Sequence, residues 1–280
     1  MAAWIFQGNP DEFDIDGYLA TAPAQFSWLV TRYAKKIVIG DRVYCWRNQG
    51  RHKAVAGVIA EAEVIGPAEV RDESADALAF WRPGTSEATS RRPRALLRLV
   101  RVAGVREVIR LKWCEDDPIL RDLPNIRMAA GTNYALSNAH ADRLAALWSR
   151  TGHDWTRDEC VAGLWAYAQT YRGPVSHLPG APVATVALLL GRAVSSVYNK
   201  VMNFRHLDPR DSREGMSGGG DADALVWGEF YEATLNRLRV EELTLSSCAF
   251  GDARSPREAV MLPRRRKHSI KRHAHSKART

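Results

Sequence analysis

The chain has 280 residues, 45% of them hydrophobic and 26% charged, with nine tryptophans and a formal net charge of +8. That length suits two ordinary domains and permits a buried core without disulfide or metal staples. It carries no apolar run near the roughly 20 residues that a bilayer-spanning helix needs, and its acid-bearing start, MAAWIFQGNPDEFDID, does not read as a signal peptide.

Residues 1–150 read as mixed strand and helix. In WIFQG, Trp4 and Phe6 alternate with Ile5 and Gln7, as on a half-buried strand. QFSWLVTRYAKKI is predicted helical. GDRVYCWRNQG reads as a turn and a strand, AVAGVIAEAEVIG as a further strand, and RALLRLVRVAG and EVIRLKW as two more. Between these, the polar, Gly/Pro-punctuated stretch RDESADALAFWRPGTSEATSRRPR is expected to be a mobile loop. Glu115, Asp116 and Asp117 form an acidic trio beside a proline, read as loop. ALSNAHADRLAALWSR closes the unit as an amphipathic helix with Ser137 or Asn138 as N-cap and Trp148 in the core. Many short strands with few helices predict a small barrel with peripheral helices.

After the junction Thr151-Gly152-His153 the pattern turns helical. WTRDECVAGLWAYAQTY opens with a capping box, Thr156 with Glu159. VATVALLLG is a second helix ended by Gly191, and SSVYNKVMNF a third capped by Ser195. ADALVWGEFYEATLNRLRVEEL is a fourth, after the flexible-looking loop DPRDSREGMSGGGDAD. The helix, tight Gly turn and helix of LLLGRAVSSVYNKVMNFRHLDP have the form of a helix-turn-helix, though a simple αα-hairpin has the same form. The predicted architecture is α+β: a barrel domain over 1–150, a small all-α domain over 155–243, and a disordered basic tail over 244–280.

Charge is uneven along the chain. Residues 1–150 hold 21 basic and 18 acidic side chains, residues 151–263 hold 11 and 14, and residues 264–280 hold eight and none. The tail, including Arg264, Arg265, Arg266 and Lys267, is therefore a candidate phosphate-contacting arm. Cys45, Cys114, Cys160 and Cys248 are scattered with no C-x-x-C pair. Neither a structural zinc nor a disulfide framework is expected, and a cytoplasmic chain with reduced thiols fits best. No phosphate-binding loop, H-E-x-x-H or G-x-S-x-G motif occurs, so no catalytic residue and no cofactor are predicted.

The motifs WIFQGNPDEFDIDGYL, FSWLVTRYAKKIVIGDRVYCWRNQG, the glycine of AVAGVIAEAEV and the late GTNYALS occur in order across residues 4–150. Together they resemble the EVE domain, a YTH-related PUA-like barrel. That resemblance implies binding of nucleic acid carrying a modified base, and in prokaryotes a link to restriction of modified DNA. A base can be read in a pocket only after leaving the stack, and aromatic faces must repay the unstacking. The resemblance makes Trp28 and Trp46 candidate pocket walls, with Arg47 and Asn48 beside them, and Gly131, Thr132, Asn133 and Tyr134 as edge-reading groups. On spacing alone, a buried tryptophan is usually core packing. Lys35, Lys36, Arg91 and Arg92 are candidate backbone contacts that carry no sequence information.

Residues 155–232, through WTRDECVAGLWAY, GRAVSSVYNKVMNFRHLDP and GMSGGGDADALVWGEF, are similar to the helical domain upstream of HNH nuclease domains in bacterial restriction-type endonucleases. They are also similar to Myb-like three-helix modules. This implies DNA contact; the candidates read from the helix-turn-helix pattern are Ser195, Ser196, Asn199, Lys200 and Asn203, which face away from Val197, Val201 and Phe204, with Arg192 beside them. Beyond residue 240 no His-Asn-His constellation follows, so cleavage is not carried over, and a nuclease acting in trans is expected. The leading expectation is a reader of modified DNA, such as 5-methylcytosine DNA, connected to phage defence. The alternative is an RNA-binding module. No membrane partner is expected.

Overall fold

The computed structural model describes residues 1–51 and 56–253. Expectations resting on residues 254–280, including the candidate arm Arg264, Arg265, Arg266 and Lys267, lie outside the described residues. The first module runs β1 (Ala3–Gly8), α1 (Ile15–Ala20), β2 (Phe26–Leu29), β3 (Arg42–Arg47), β4 (Gly57–Arg71), α2 (Ala75–Leu78), β5 (Arg92–Val102), β6 (Ile109–Arg110), α3 (Leu111–Asp116), α4 (Pro124–Arg127), β7 (Asn133–Ala135) and α5 (Asn138–Arg150). The strands form one sheet ordered β2-β5-β4-β3-β1-β7, with β6 against β4. β1 runs parallel to β3, and the remaining pairings are antiparallel.

Side chains alternate across a pleated strand, so each strand here feeds two cores. Trp4 and Phe6 of β1, Phe26 and Trp28 of β2, and Val43 and Cys45 of β3 enter one core inside the curved sheet. Ile5 of β1 and Tyr44 and Trp46 of β3 enter the other, packed with Leu144, Leu147 and Trp148 of α5. β1 and β3 are thus buried on both faces rather than half-buried. The Asn133 side chain then ties the two ends of the sheet. Asn133 on β7 accepts from the Thr31 backbone N–H at 2.9 Å and donates to the Leu29 carbonyl at 3.1 Å beyond β2, so the sheet closes on itself through an amide latch.

Three local expectations differ from this arrangement. The segment predicted helical from Gln25 to Ile37 begins as β2, because Phe26 and Trp28 alternate inward and pair with Leu97 and Ala95 of β5. The helical spacing of its apolar residues yields to the register of the sheet. The stretch predicted as a mobile loop over 71–94 is built: it holds α2, a 3₁₀ turn at Ser86–Ala88 and a β-bridge between Phe13 and Trp81. Of the acidic trio, Glu115 and Asp116 belong to α3 and Asp117 is its C-cap, buried and accepting from the Ile119 and Leu120 N–H groups. As expected, Ser137 caps α5, accepting from His140 N–H.

The second module comprises α6 (Arg157–Gln169), α7 (Pro182–Leu190), α8 (Val194–Leu207), α9 (Asp221–Phe230), the hairpin β8 (Tyr231–Glu232) and β9 (Arg237–Leu238), and α10 (Val240–Ala253). The capping box of Thr156 and Glu159 is present, and Gly191 ends α7 in the left-handed region at φ 68°. Helix α8 is capped at Ala193, not Ser195, and Ala193 supplies no side-chain cap. The fourth predicted helix is split by the hairpin, which turns at Asn236 with φ 48°. The reversal stacks Tyr231 on Trp227 at 4.9 Å and returns Leu238 and Leu243 to the helical core. The module is therefore not purely helical, and helix continues through residues 244–253, where a disordered tail is expected from the sequence.

The two modules share a buried junction. Arg143 of α5 pairs with Asp117 at 2.7 Å and also donates to the carbonyls of Arg192 at 2.7 Å and Ala187 at 3.3 Å in the second module. Helix α3 packs on α8, and Ala193 is buried with Trp148 and Cys114 in the outer core of the first module. Burial pushes the Cys45 and Cys114 thiols well above their ordinary range.

Candidate functional site

One cavity of about 280 Å³ opens where the end of β1, β2 and the 71–94 segment meet. It is near the lower end of ligand-pocket sizes, suited to one small planar group. Its apolar wall is aromatic: Trp28 and Phe26 from β2, Phe13 and Tyr18 around α1, and Trp81. Phe26 packs edge-on to Trp28 at 6.2 Å, and Phe13 meets Trp81 at 5.0 Å and Tyr18 at 5.5 Å. Gly8 lies against the Trp28 indole: a Cβ there would stand 3.4 Å from Cζ2, so anything longer than alanine enters the cavity.

The polar side is anchored by Glu73, whose carboxylate is 3% exposed. It accepts from Ser27 Oγ at 2.6 Å, Ser74 N–H at 3.0 Å, Trp81 Nε1 at 3.1 Å and Arg94 Nη1 at 2.6 Å. Four donors from separate segments saturate its oxygens, and Arg94 is further held by the Glu87 carbonyl at 2.9 Å. Glu73 is thus a strut that fixes Trp81, Ser27 and Arg94 around the opening. Opposite, Gln7 donates to the carbonyls of Ala129 and Gly131 at 2.9 and 3.1 Å and pins the 129–132 rim. The Asn48 side-chain amide and the Trp28 Nε1 group line the cavity and make no hydrogen bond to a described residue, which leaves both to a ligand.

The structure sorts the residues singled out in the sequence. Trp28, Asn48, Gly131 and Thr132 line this cavity. Trp46 does not: it is 3% exposed in the outer core, on the opposite face of the sheet from Trp28. Asn133 is fully buried and spent as the latch, and Tyr134 is buried with its hydroxyl donating to the Met128 carbonyl at 2.7 Å. Arg47 is buried and paired with Asp16. Lys35 and Lys36 sit on exposed turns rather than at a helix end, in a segment that leaves the rim where Thr31 Oγ1 meets Thr132 Oγ1 at 2.6 Å. Arg91 and Arg92 are exposed at the start of β5, Arg91 standing 3.5 Å from Asp72. Phe13, Tyr18, Glu73, Trp81 and Gly8 are among the pocket residues not singled out in the sequence. An FW pair inside an otherwise polar stretch was the available signal for Trp81.

In the second module, two candidate phosphate contacts are structural. Arg192 is buried; it pairs with Glu159 at 2.7 Å, donates to the His153 and Asp154 carbonyls, and lies 4.8 Å from the Trp155 ring centre. Burial works to raise the Glu159 carboxyl, but hydrogen bonds from Arg192 and Thr156 N–H outweigh it and hold the group below its usual range. Lys200 is buried, 2.5 Å from Asp223 and 4.6 Å from the Trp155 ring centre. Asn203 also donates to Asp223, at 3.0 Å. Ser195 and Ser196 are half-buried and Asn199 is exposed. The start of α8, the end that a recognition helix puts into a groove, is packed against the first module through Ala193. The turn between α7 and α8 therefore serves the junction. Among the described residues no group of three or more His, Cys, Asp or Glu is placed to hold a metal ion, and no helix is long and apolar enough to cross a membrane.

No family model and no curated protein matches the chain. Solved structures similar to it include a hypothetical protein from Leishmania major, at 15% identity over 54% of this chain and 96% of that one, with a TM-score of 0.39. A protein from Pseudomonas putida is similar at 14% identity over 52% of this chain and 99% of that one, TM-score 0.38. So is human THYN1 protein, solved in complex with 5-methylcytosine-containing DNA, at 12% identity over 53% of this chain and 98% of that one, TM-score 0.39. The likeness concerns the fold of about half the chain and goes no further.

Proposed function

We propose that this chain is a DNA-binding protein that receives one extruded, modified base in the aromatic cavity of its first module, with a C5-modified cytosine such as 5-methylcytosine as ligand. The observation that carries the reading is the cavity itself: rings of Trp28, Trp81 and Phe13 around a space for one planar group, with Trp28 Nε1 and the Asn48 side-chain amide unpaired at its edge. Extruding a base costs a few kcal/mol. Stacking on an aromatic ring returns about 1–3 kcal/mol, so ring contact plus the two edge groups covers the cost. An added methyl group adds about 0.8 kcal/mol when buried. The fused resemblance to helical domains of restriction-type endonucleases supports a role in restriction or phage defence in which this chain recognises and a nuclease in trans cuts. The chain then needs no catalytic residue of its own.

A panel of one duplex with cytosine, 5-methylcytosine or 5-hydroxymethylcytosine at a single position, titrated against the full chain at fixed salt, tests the reading. Tighter binding to a modified duplex is the expected result. Equal affinity across the panel refutes modification sensing, and preference for single-stranded RNA over every duplex redirects the pocket to RNA.

A further inference from the structure

Three basic residues lie on or beside α8, and their surroundings separate them. Arg192 and Lys200 have their charges and donors met by Glu159 and Asp223. Arg205 does not. Its side chain is only 10% exposed, yet its guanidinium makes no hydrogen bond to any described residue, and its Nε is buried without a partner. The nearest carboxylate oxygen, on Asp211, is 4.0 Å away. That carboxylate is occupied by Arg213, which grips it with two nitrogens at 2.8 and 2.6 Å. The neighbouring Asp208 is gripped in the same way by Arg210, at 2.8 and 2.6 Å. Burying the Nε–H of this guanidinium without a hydrogen bond is costly.

Arg205 opens onto a second cavity, of about 390 Å³, remote from the aromatic pocket and lined also by His206, Asp211, Arg213, Glu214, Gly215 and Ser217. The glycine-rich stretch GMSGGG, which the sequence alone leaves as a flexible loop, supplies this wall. It is held there because Gly215 lies on the His206 backbone so closely that a Cβ would stand 2.4 Å from its N. Ser217 makes no hydrogen bond to a described residue. With Asp208 and Asp211 neutralised by their own arginines, the charge facing the cavity is that of Arg205, opposed by exposed Glu214 at its edge.

We infer that this cavity is a phosphoryl oxyanion site in which Arg205 is the principal donor, with His206 and the Ser217 hydroxyl completing the shell. A planar, forked guanidinium that hydrogen-bonds no carboxylate suits a tetrahedral oxyanion. The phosphoryl group could come from a nucleic-acid backbone or from a free phosphate compound. The site is independent of the base pocket, so either assignment can fail alone.

The experiment uses the full chain, Arg205→Gln, Arg205→Lys and Glu214→Gln, each measured for thermal unfolding in inorganic phosphate against chloride at matched ionic strength, and for binding to an unmodified and a modified duplex across salt. Phosphate is expected to raise the wild-type midpoint beyond chloride, Arg205→Gln to weaken the phosphate effect about tenfold or more, and Glu214→Gln, at an exposed position, to strengthen it. If the source is DNA, Arg205→Gln also lowers affinity for both duplexes equally and reduces the salt slope by about 0.9. If the source is a free phosphate compound, duplex binding is unchanged while the phosphate response is lost. Should Arg205→Gln fail to fold, Arg205→Lys and Glu214→Gln decide. The inference is overturned if Glu214→Gln and the folded Arg205 variants match wild type in both phosphate response and duplex affinity.

Discussion

Replacing Trp81 and Trp46 by alanine, one at a time, separates a pocket wall from a core residue. Trp81 is half-buried on the cavity and anchored through its Nε1 to Glu73 at 3.1 Å. Its removal takes one stacking surface from the bound base, about 1–3 kcal/mol, which is roughly a 5- to 150-fold loss of affinity for the modified duplex. It also leaves Glu73 with three of its four donors, at a stability cost of about 1 kcal/mol. Trp46 is 3% exposed among Ile5, Tyr44, Val58 and Trp148. Its truncation costs about 3–5 kcal/mol of stability, a large part of the 5–15 kcal/mol typical of a domain, and removes no side chain that lines the cavity. Fluorescence anisotropy with modified and unmodified duplexes, beside urea denaturation of the same preparations, reads both quantities. Trp81→Ala should lose preference while remaining folded, and Trp46→Ala should lose stability while its folded fraction keeps preference. Retained preference in Trp81→Ala, or lost preference in fully folded Trp46→Ala, refutes the placement of the ligand.

Three further outcomes follow from the geometry. Asn133→Ala opens the amide latch and takes this partner from the part-buried Thr31 N–H and Leu29 carbonyl; a loss of about 1–3 kcal/mol is expected and is read from the urea midpoint. Arg143→Met leaves Asp117 charged and unpaired at the junction, so calorimetry should show a destabilisation of about 3–5 kcal/mol and two separable transitions where wild type shows one. The second module should also be acid-sensitive. Hydrogen bonds from Arg213 hold the Asp211 carboxyl at about 2, and burial of Glu159 and Asp208 is outweighed by arginine hydrogen bonds that keep them low too. These groups titrate near 4 when unfolded, so the unfolded chain takes up protons first as pH falls. Their contribution is complete above about pH 5 and is lost between about pH 4 and 2. Circular-dichroism melts at pH 5, 3 and 2 should show a falling midpoint, less steeply in Asp211→Asn.

Local chemistry made much of this protein legible from its residues. The Thr156–Glu159 box, the Gly191 stop and the Ser137 cap are set by hydrogen bonds within one turn, so they need no distant partner and stood where the chain placed them. Trp28 at the pocket and Trp148 in the core were also legible, the first through a resemblance and the second through helical spacing. What only the tertiary structure decided are matters of register and closure. Whether Phe26–Leu29 is strand or helix depends on its pairing with β5, and whether Trp46 reaches the pocket depends on which face of a twice-covered sheet it occupies. Whether Arg192, Lys200 and Arg205 are free or spent depends on carboxylates up to 33 residues away in sequence. These contacts couple residues far apart in the chain, and a one-residue shift in a strand exchanges its two faces, so no local pattern could fix them.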